Sequence, residues 1–169
     1  MEINYTREEQ FIFKKIGEAA EELNQPAFII GGFVRDKILA RPVKDVDIVV
    51  AGDGIELAKK TALKFQSKPE VAIFKNFGTA QIKIYLHESP FEIEFVGARK
   101  ESYRSHSRKP DVLPGSIEED TMSRDFTINT MAIGLNKSDF GKLIDPLNAI
   151  TDIGNKILKT PLPPDQTFI

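Results

Sequence analysis

Residues 27–50 read AFIIGGFVRDKILARPVKDVDIVV, and the fold turns on how this stretch divides. An apolar run from Ala27 to Ile30 breaks into Gly31-Gly32. A second apolar run opens at Asp45 and carries another acid at Asp47. AFII is short enough for a buried strand, GGFVRDKILA turns into a helix at the glycines, and DVDIVV reads as a second strand. Side chains alternate across a strand, so Asp45 and Asp47 share one face. Two unpaired carboxylates side by side repel. A divalent cation between them relieves that repulsion, and hard oxygen ligands suit Mg²⁺. The plain alternative is an acidic pair facing solvent at a strand end. A calcium loop is excluded, because Ile48-Val49-Val50 follow where polar residues and a glycine are needed.

Working outward, residues 7–23 place Phe11, Ile12, Ile16, Ala19, Ala20 and Leu23 at helical spacing, and Asn24-Gln25-Pro26 ends that helix. A further helix is predicted over 55–65. Strands follow at 71–74, 78–86 and 91–99, with HESP (87–90) as the hairpin turn between the last two. Residues 100–124 are polar and carry Pro110 and Pro114, which predicts mostly loop. A short helix at 125–130, a strand at 131–136, a hairpin arm at 140–146 and a short helix at 152–160 complete the chain. This order predicts an α/β (α+β) domain, a small mixed β-sheet flanked by helices. The proline-rich end suggests a domain over 1–150, with 151–169 beginning a linker.

The chain has 169 residues, 41% of them hydrophobic, enough for one compact domain with its own core. Cysteine is absent, which excludes disulfides and thiolate metal sites and fits a reducing compartment. His87 and His106 are too few for a histidine-based zinc site. MEINYTREEQ has no signal-peptide pattern and no apolar run approaches a membrane span, so the expected location is cytoplasmic and no membrane partner is expected. The net charge of −2 argues against a surface that grips nucleic acid throughout. A polyanion would meet a local patch, or another part of the protein.

Three constellations carry chemistry. Gly31-Gly32 lets an anion approach the backbone, and Arg35, one turn into the helix, adds a charged fork. Neither G-x-x-x-x-G-K-[ST], G-x-G-x-x-G nor G-x-S-x-G occurs, so those nucleotide-loop and hydrolase readings fail. Glu92 and Glu94 alternate with Ile93 and Phe95 and therefore share a strand face. Carboxylates on two strands beside a phosphate-binding turn suit metal-assisted displacement at phosphorus, although an acidic outer face reads the same way. In SRDFTINTMAI, Arg124 could meet a phosphate and Asn129 a sugar hydroxyl, whereas Asp125 suits a helix cap paired with Arg124.

Taken in order, GGFVRD (31–36), DVDIVV (45–50), EFVGAR (94–99) and RDFTIN (124–129) resemble the catalytic head of the bacterial-type tRNA nucleotidyltransferases and their poly(A) polymerase relatives, within the DNA polymerase β-like superfamily. The resemblance spans roughly residues 20–160. It implies the nucleotidyltransferase fold and a Mg²⁺-dependent transfer of CMP and AMP from CTP and ATP to the tRNA 3′ end. It implies that Asp45 and Asp47 bind metal and that Glu94 is the third catalytic carboxylate, with Glu92 in reserve. Gly31, Gly32, Arg35 and Arg124 would hold the triphosphate, and Asn129 would lie near the sugar.

One departure stands out: the family writes two arginines before D-F-T-I-N, and Ser123 replaces the first. The family's base-selecting E-D-x-x-R-x-x-R motif is absent, which implies a head whose neck and RNA-gripping domains lie further on. Poly(A) or A-only addition, the same chemistry with ATP, is the nearer alternative; an idle nucleotide- or RNA-binding module is the more distant one. Arg99, Lys100, Arg104, Arg108 and Lys109 form a basic cluster, either an arm toward RNA or pyrophosphate, or a solvated loop.

Overall fold

The computed structural model describes residues 3–86, 89–102, 111–114, 131–145, 147–149, 151 and 155. Helix α1 (Arg7–Glu22) starts at Thr6, whose hydroxyl accepts from the Glu9 N–H while the Glu9 carboxylate accepts from the Thr6 N–H. This reciprocal cap satisfies two donors that the first turn would otherwise leave open. Ile12, Phe13, Ile16, Ala19 and Ala20 are buried, whereas Phe11, which its spacing assigned to the same apolar side, is exposed. The helix stops where Asn24 takes a left-handed φ of 53°, a conformation asparagine tolerates better than most side chains.

Strand β1 (Ala27–Ile30) leads through Gly31 into α2 (Gly32–Ile38), then β2 (Asp45–Val50) and α3 (Gly54–Ala62). Asp53 caps α3 by accepting from the N–H groups of Ile55 and Glu56. β3 (Val71–Phe74), a single 3₁₀ turn at Lys75–Phe77, β4 (Thr79–Leu86) and β5 (Ser89–Gly97) follow. Beyond them lie β6 (Arg99–Ser102), β7 (Asp111–Pro114), β8 (Ala132–Gly134) and β9 (Leu143–Ile144).

Among the described residues, seven strands form one mixed sheet in the order β3-β4-β5-β2-β1-β8-β9. The β2–β5 pair is parallel; every other pair in it is antiparallel. The main core lies on one face, where Val46, Ile48, Ala80, Ile82, Ile93 and Phe95 meet the apolar sides of α1 and α3. A smaller cluster of Phe28, Ile30, Val49, Ala98 and Ala132 occupies part of the opposite face. The Asn136 amide ties the ends of β1 and β8, accepting from the Ala27 N–H and donating to the Gln25 carbonyl. No helix among the described residues is long and apolar enough to cross a membrane.

Three expectations need correction. Within 100–124 the described residues, 100–102 and 111–114, are strand rather than loop: β6 and β7 pair as a separate two-stranded ribbon, with Lys100 opposite Leu113 and Glu101 opposite Val112. Pro114 is the last residue of β7 rather than a break within it, and a strand end tolerates the missing N–H. The hairpin turn is narrower than four residues, since Leu86 already pairs with Ser89. The third helix ends at Ala62 rather than 65, with Leu63 as its C-cap and Lys64 and Phe65 beyond it. The helix predicted at 125–130 lies outside the described residues. So does most of 152–160, where the Asn155 N–H reaches the Thr151 carbonyl at helical spacing.

Candidate active site

The parity of β2 is as its sequence requires. Asp45 and Asp47 are exposed on one face, while Val46 and Ile48 are buried on the other. The parallel register sets Asp45 beside Glu92 and Asp47 beside Glu94, and the β1 register sets Ile30 beside Asp47. Ile30 is followed at once by the glycine pair, so the β1–α2 turn arrives next to the second aspartate. A Cβ built on Gly31 would lie 3.8 Å from Asp47 Oδ2, an ordinary contact. What demands glycine is the backbone, with φ 74° and ψ −138°, a region that L side chains avoid.

Gly32 serves differently. A Cβ there would stand 3.2 Å from Arg35 Nη2, so the bare position lets the guanidinium lie against the start of α2. Arg35 Nε also donates to Asp36 Oδ1 at 3.0 Å. With only seven residues, α2 has a weak helix dipole, and attraction for an anion at this turn rests mainly on Arg35. The helix is held from behind by Lys37, whose ammonium meets Glu9 Oε1 at 2.5 Å with both side chains largely buried. The residue that caps α1 therefore also anchors the helix carrying Arg35.

The two acids of β5 have different surroundings. Glu92 takes Lys83 Nζ at 3.5 Å and a hydrogen bond from Gln81 Nε2 at 3.3 Å. Glu94 is exposed, flanked by Asp47 on β2 and Gln81 on β4. Its side chain thus continues the row that contains Asp47, whereas Glu92 is already engaged by a cation. Among the described residues no group of three carboxylate or imidazole side chains stands close enough to enclose a metal ion. The donor set still fits a hard divalent cation, because Mg²⁺ uses one or two carboxylates and completes its shell with water and substrate phosphates.

The structure thus brings together Gly31, Gly32, Arg35, Asp45, Asp47, Glu92 and Glu94. Arg124, Asp125 and Asn129 lie outside the described residues, as do Arg104, Arg108 and Lys109. Arg99 and Lys100 sit on β6. Gln81 and Lys83 were not singled out from the sequence. The alternation in QIKIY places them on one polar strand face, but nothing local reveals that this face meets Glu92.

Comparison with known proteins follows the same residues. The family model described as the poly A polymerase head domain matches residues 27–159. The chain belongs to that family. Within it, an A-adding tRNA nucleotidyltransferase of Aquifex aeolicus is 44% identical over 133 residues, covering 79% of this chain and 15% of that protein. A CC-adding tRNA nucleotidyltransferase of Deinococcus radiodurans is 32% identical over 135 residues, covering 78% of this chain and 34% of its own length. A crystal structure of a tRNA nucleotidyltransferase complexed with a primer tRNA and an incoming ATP analog superposes with a TM-score of 0.73 at 39% identity, covering 87% of this chain and 39% of the other. The chain therefore has the family's nucleotidyltransferase fold, and it spans well under half the length of each of these relatives.

Proposed function

We propose that this chain is the catalytic head of a nucleotidyltransferase that adds CMP and AMP, from CTP and ATP, to the 3′ end of tRNA. The observation that carries the reading is the pairing of Asp45 and Asp47, exposed on one strand face, with the glycine turn beside Asp47 and Arg35 lying against Gly32 in that turn. Asp45 and Asp47 would hold Mg²⁺. Bound there, the metal would favour deprotonation of the RNA 3′-hydroxyl and offset charge on the departing pyrophosphate. Glu94 is the third carboxylate in this reading: it adjoins Asp47, whereas Glu92 is engaged by Lys83 and Gln81. Arg35 meets the triphosphate over Gly31 and Gly32, and Arg124 and Asn129 add phosphate and sugar contacts. Beyond these groups the reaction asks for little acid–base machinery, since positioning and charge neutralisation dominate phosphoryl transfer.

In this reading residues 1–150 form the head, 151–169 lead toward the neck, the RNA is gripped mostly outside this chain, and the protein works in the cytoplasm. Base choice also lies elsewhere: relatives named A-adding and CC-adding match the same head. The 44% identity to an A-adding enzyme favours ATP-only addition as the second reading.

The test offers the complete protein tRNA lacking its terminal CCA, or only its terminal A, with CTP and ATP separately and together. CCA addition yields a three-nucleotide extension only with both nucleotides present. Extension of the A-less tRNA alone identifies the A-adding reading, and long A tracts identify poly(A) addition. Asp47→Asn should lower transfer by on the order of 10³-fold. Retained transfer would sink the site assignment.

A further inference from the structure

The carboxylate face does not end at β5. Gln81, Lys83 and Tyr85 alternate along β4 with Ala80, Ile82 and Ile84, which point to the helix-covered core or its margin. The first three share the face of Glu92 and Glu94, as the contacts of Gln81 and Lys83 with Glu92 require. Tyr85 is 69% exposed, a large aromatic surface left open next to an acidic site. From strand spacing and residue rise, its Cα stands about 12 Å from that of Asp45.

Direction decides what this strip can meet. The glycine turn and Arg35 approach the aspartates from the β1–α2 side, and β4 lies on the other side of them, beyond β5. In phosphoryl transfer the attacking and leaving oxygens lie opposite each other. With pyrophosphate leaving toward Arg35, the attacking hydroxyl arrives from the β5–β4 side, over Glu94. An aromatic ring and an ammonium one or two nucleotides back along that path are the groups that hold single-stranded nucleic acid without reading its sequence. Lys83 is not locked away: its pair with Glu92 is long, at 3.5 Å, and its side chain is 54% exposed, so a phosphate can join the ammonium alongside the carboxylate.

We propose that the β4 strip is the track of the acceptor RNA, with Tyr85 stacking on a base near the 3′ end and Lys83 meeting the phosphate between that base and the terminal nucleotide. This inference rests on the nucleotidyltransferase reading above and names the place where its second substrate lies.

The test uses the complete protein and a tRNA lacking its terminal nucleotide, and measures KM for RNA, KM for the nucleotide, kcat, and equilibrium binding of labelled RNA without nucleotide. Tyr85→Ala should raise the RNA KM and Kd roughly tenfold, with Tyr85→Phe within about twofold of wild type. Lys83→Gln should weaken RNA binding less and flatten its salt dependence. The nucleotide KM and kcat should stay within about twofold, with melting temperatures unchanged, because both side chains are exposed. Unchanged RNA binding in Tyr85→Ala, an equal rise in the nucleotide KM, or a Tyr85→Phe defect as large as that of Ala would each overturn the track. So would a Tyr85→Ala protein that binds RNA normally but changes oligomeric state, which would assign the ring to a protein contact. A wild-type protein that transfers nothing to RNA removes the parent reading and the track together; one that transfers while Tyr85→Ala behaves as wild type removes the track alone.

Discussion

Strands β2 and β5 present two faces made from alternating residues of the same segments, and the faces follow opposite rules. On one, Val46, Ile48, Ile93 and Phe95 are at most 2% exposed and pack under α1 and α3, each contributing about 1.5–3 kcal/mol through burial. On the other, Asp45, Asp47, Glu92 and Glu94 gather four carboxylates within two strands. Like charges so placed repel one another, which Lys83 and Gln81 offset in part at Glu92. The apolar face tolerates this because its packing is indifferent to what projects from the far side of the pleat. At these positions packing and acids are separated by parity, one residue apart along the chain; further along the acids' face Val49 is buried in the smaller cluster.

The sharpest way to break this comparison is to exchange the damage between faces. Ile48→Ala should cost about 4 kcal/mol, measured by urea unfolding, because it leaves a cavity under the helices. Its kcat at low temperature, where the protein remains folded, should stay close to wild type. Asp47→Asn, one residue away, should show the reverse pattern, a large loss of transfer with a far smaller change in stability. If Ile48→Ala loses activity in step with Asp47→Asn while still folded, the faces are not independent.

A second experiment sharpens the comparison within the carboxylate face itself. Glu94→Gln should lower kcat by on the order of 10²-fold, whereas Glu92→Gln should change it by less than about fivefold. Equal losses would mean that the Lys83 and Gln81 contacts do not set Glu92 apart.

The smallest expected effect lies behind the helix-covered face. Tyr5 packs edge-on against Phe13, and its hydroxyl is buried without a hydrogen-bond partner among the described residues. Burial first, and the nearby Glu9 carboxylate second, push its pKa up to about 12. An unfolded tyrosine ionises near pH 10. The contribution of neutral Tyr5 is therefore complete below about pH 10 and is lost as pH rises toward 12. Tyr5→Phe should be at least as stable as wild type at pH 8 and should lose less stability between pH 8 and 11. Parallel alkaline losses in the two proteins would show that Tyr5 does not titrate in this way.

Much of this organisation was legible locally. The alternation in DVDIVV and FEIEFVG assigned each acid to a face, Gly31-Gly32 marked the turn, and four short motifs pointed to the family. The β6–β7 ribbon was not legible, because Pro110 and Pro114 read as breakers until the short DVL segment between them is seen paired with the strand before it. The anchoring of α2 by Glu9 and Lys37, 28 residues apart, was equally hidden. Glu9 reads as an ordinary first-turn acid, and its second partner exists only once the helices pack.

The sequence by itself determined parity, element order and the chemical kinds of residue in the site, because these depend on neighbours along the chain. Tertiary structure alone decided that β5 lies parallel to β2, in the register that sets Glu94 beside Asp47 and Glu92 within reach of Lys83. A one-residue slip would turn both β5 acids into the core and Ile93 and Phe95 out to solvent. The apolar face under α1 and α3 prevents that slip, so hydrophobic packing on one side of the sheet positions the charges on the other.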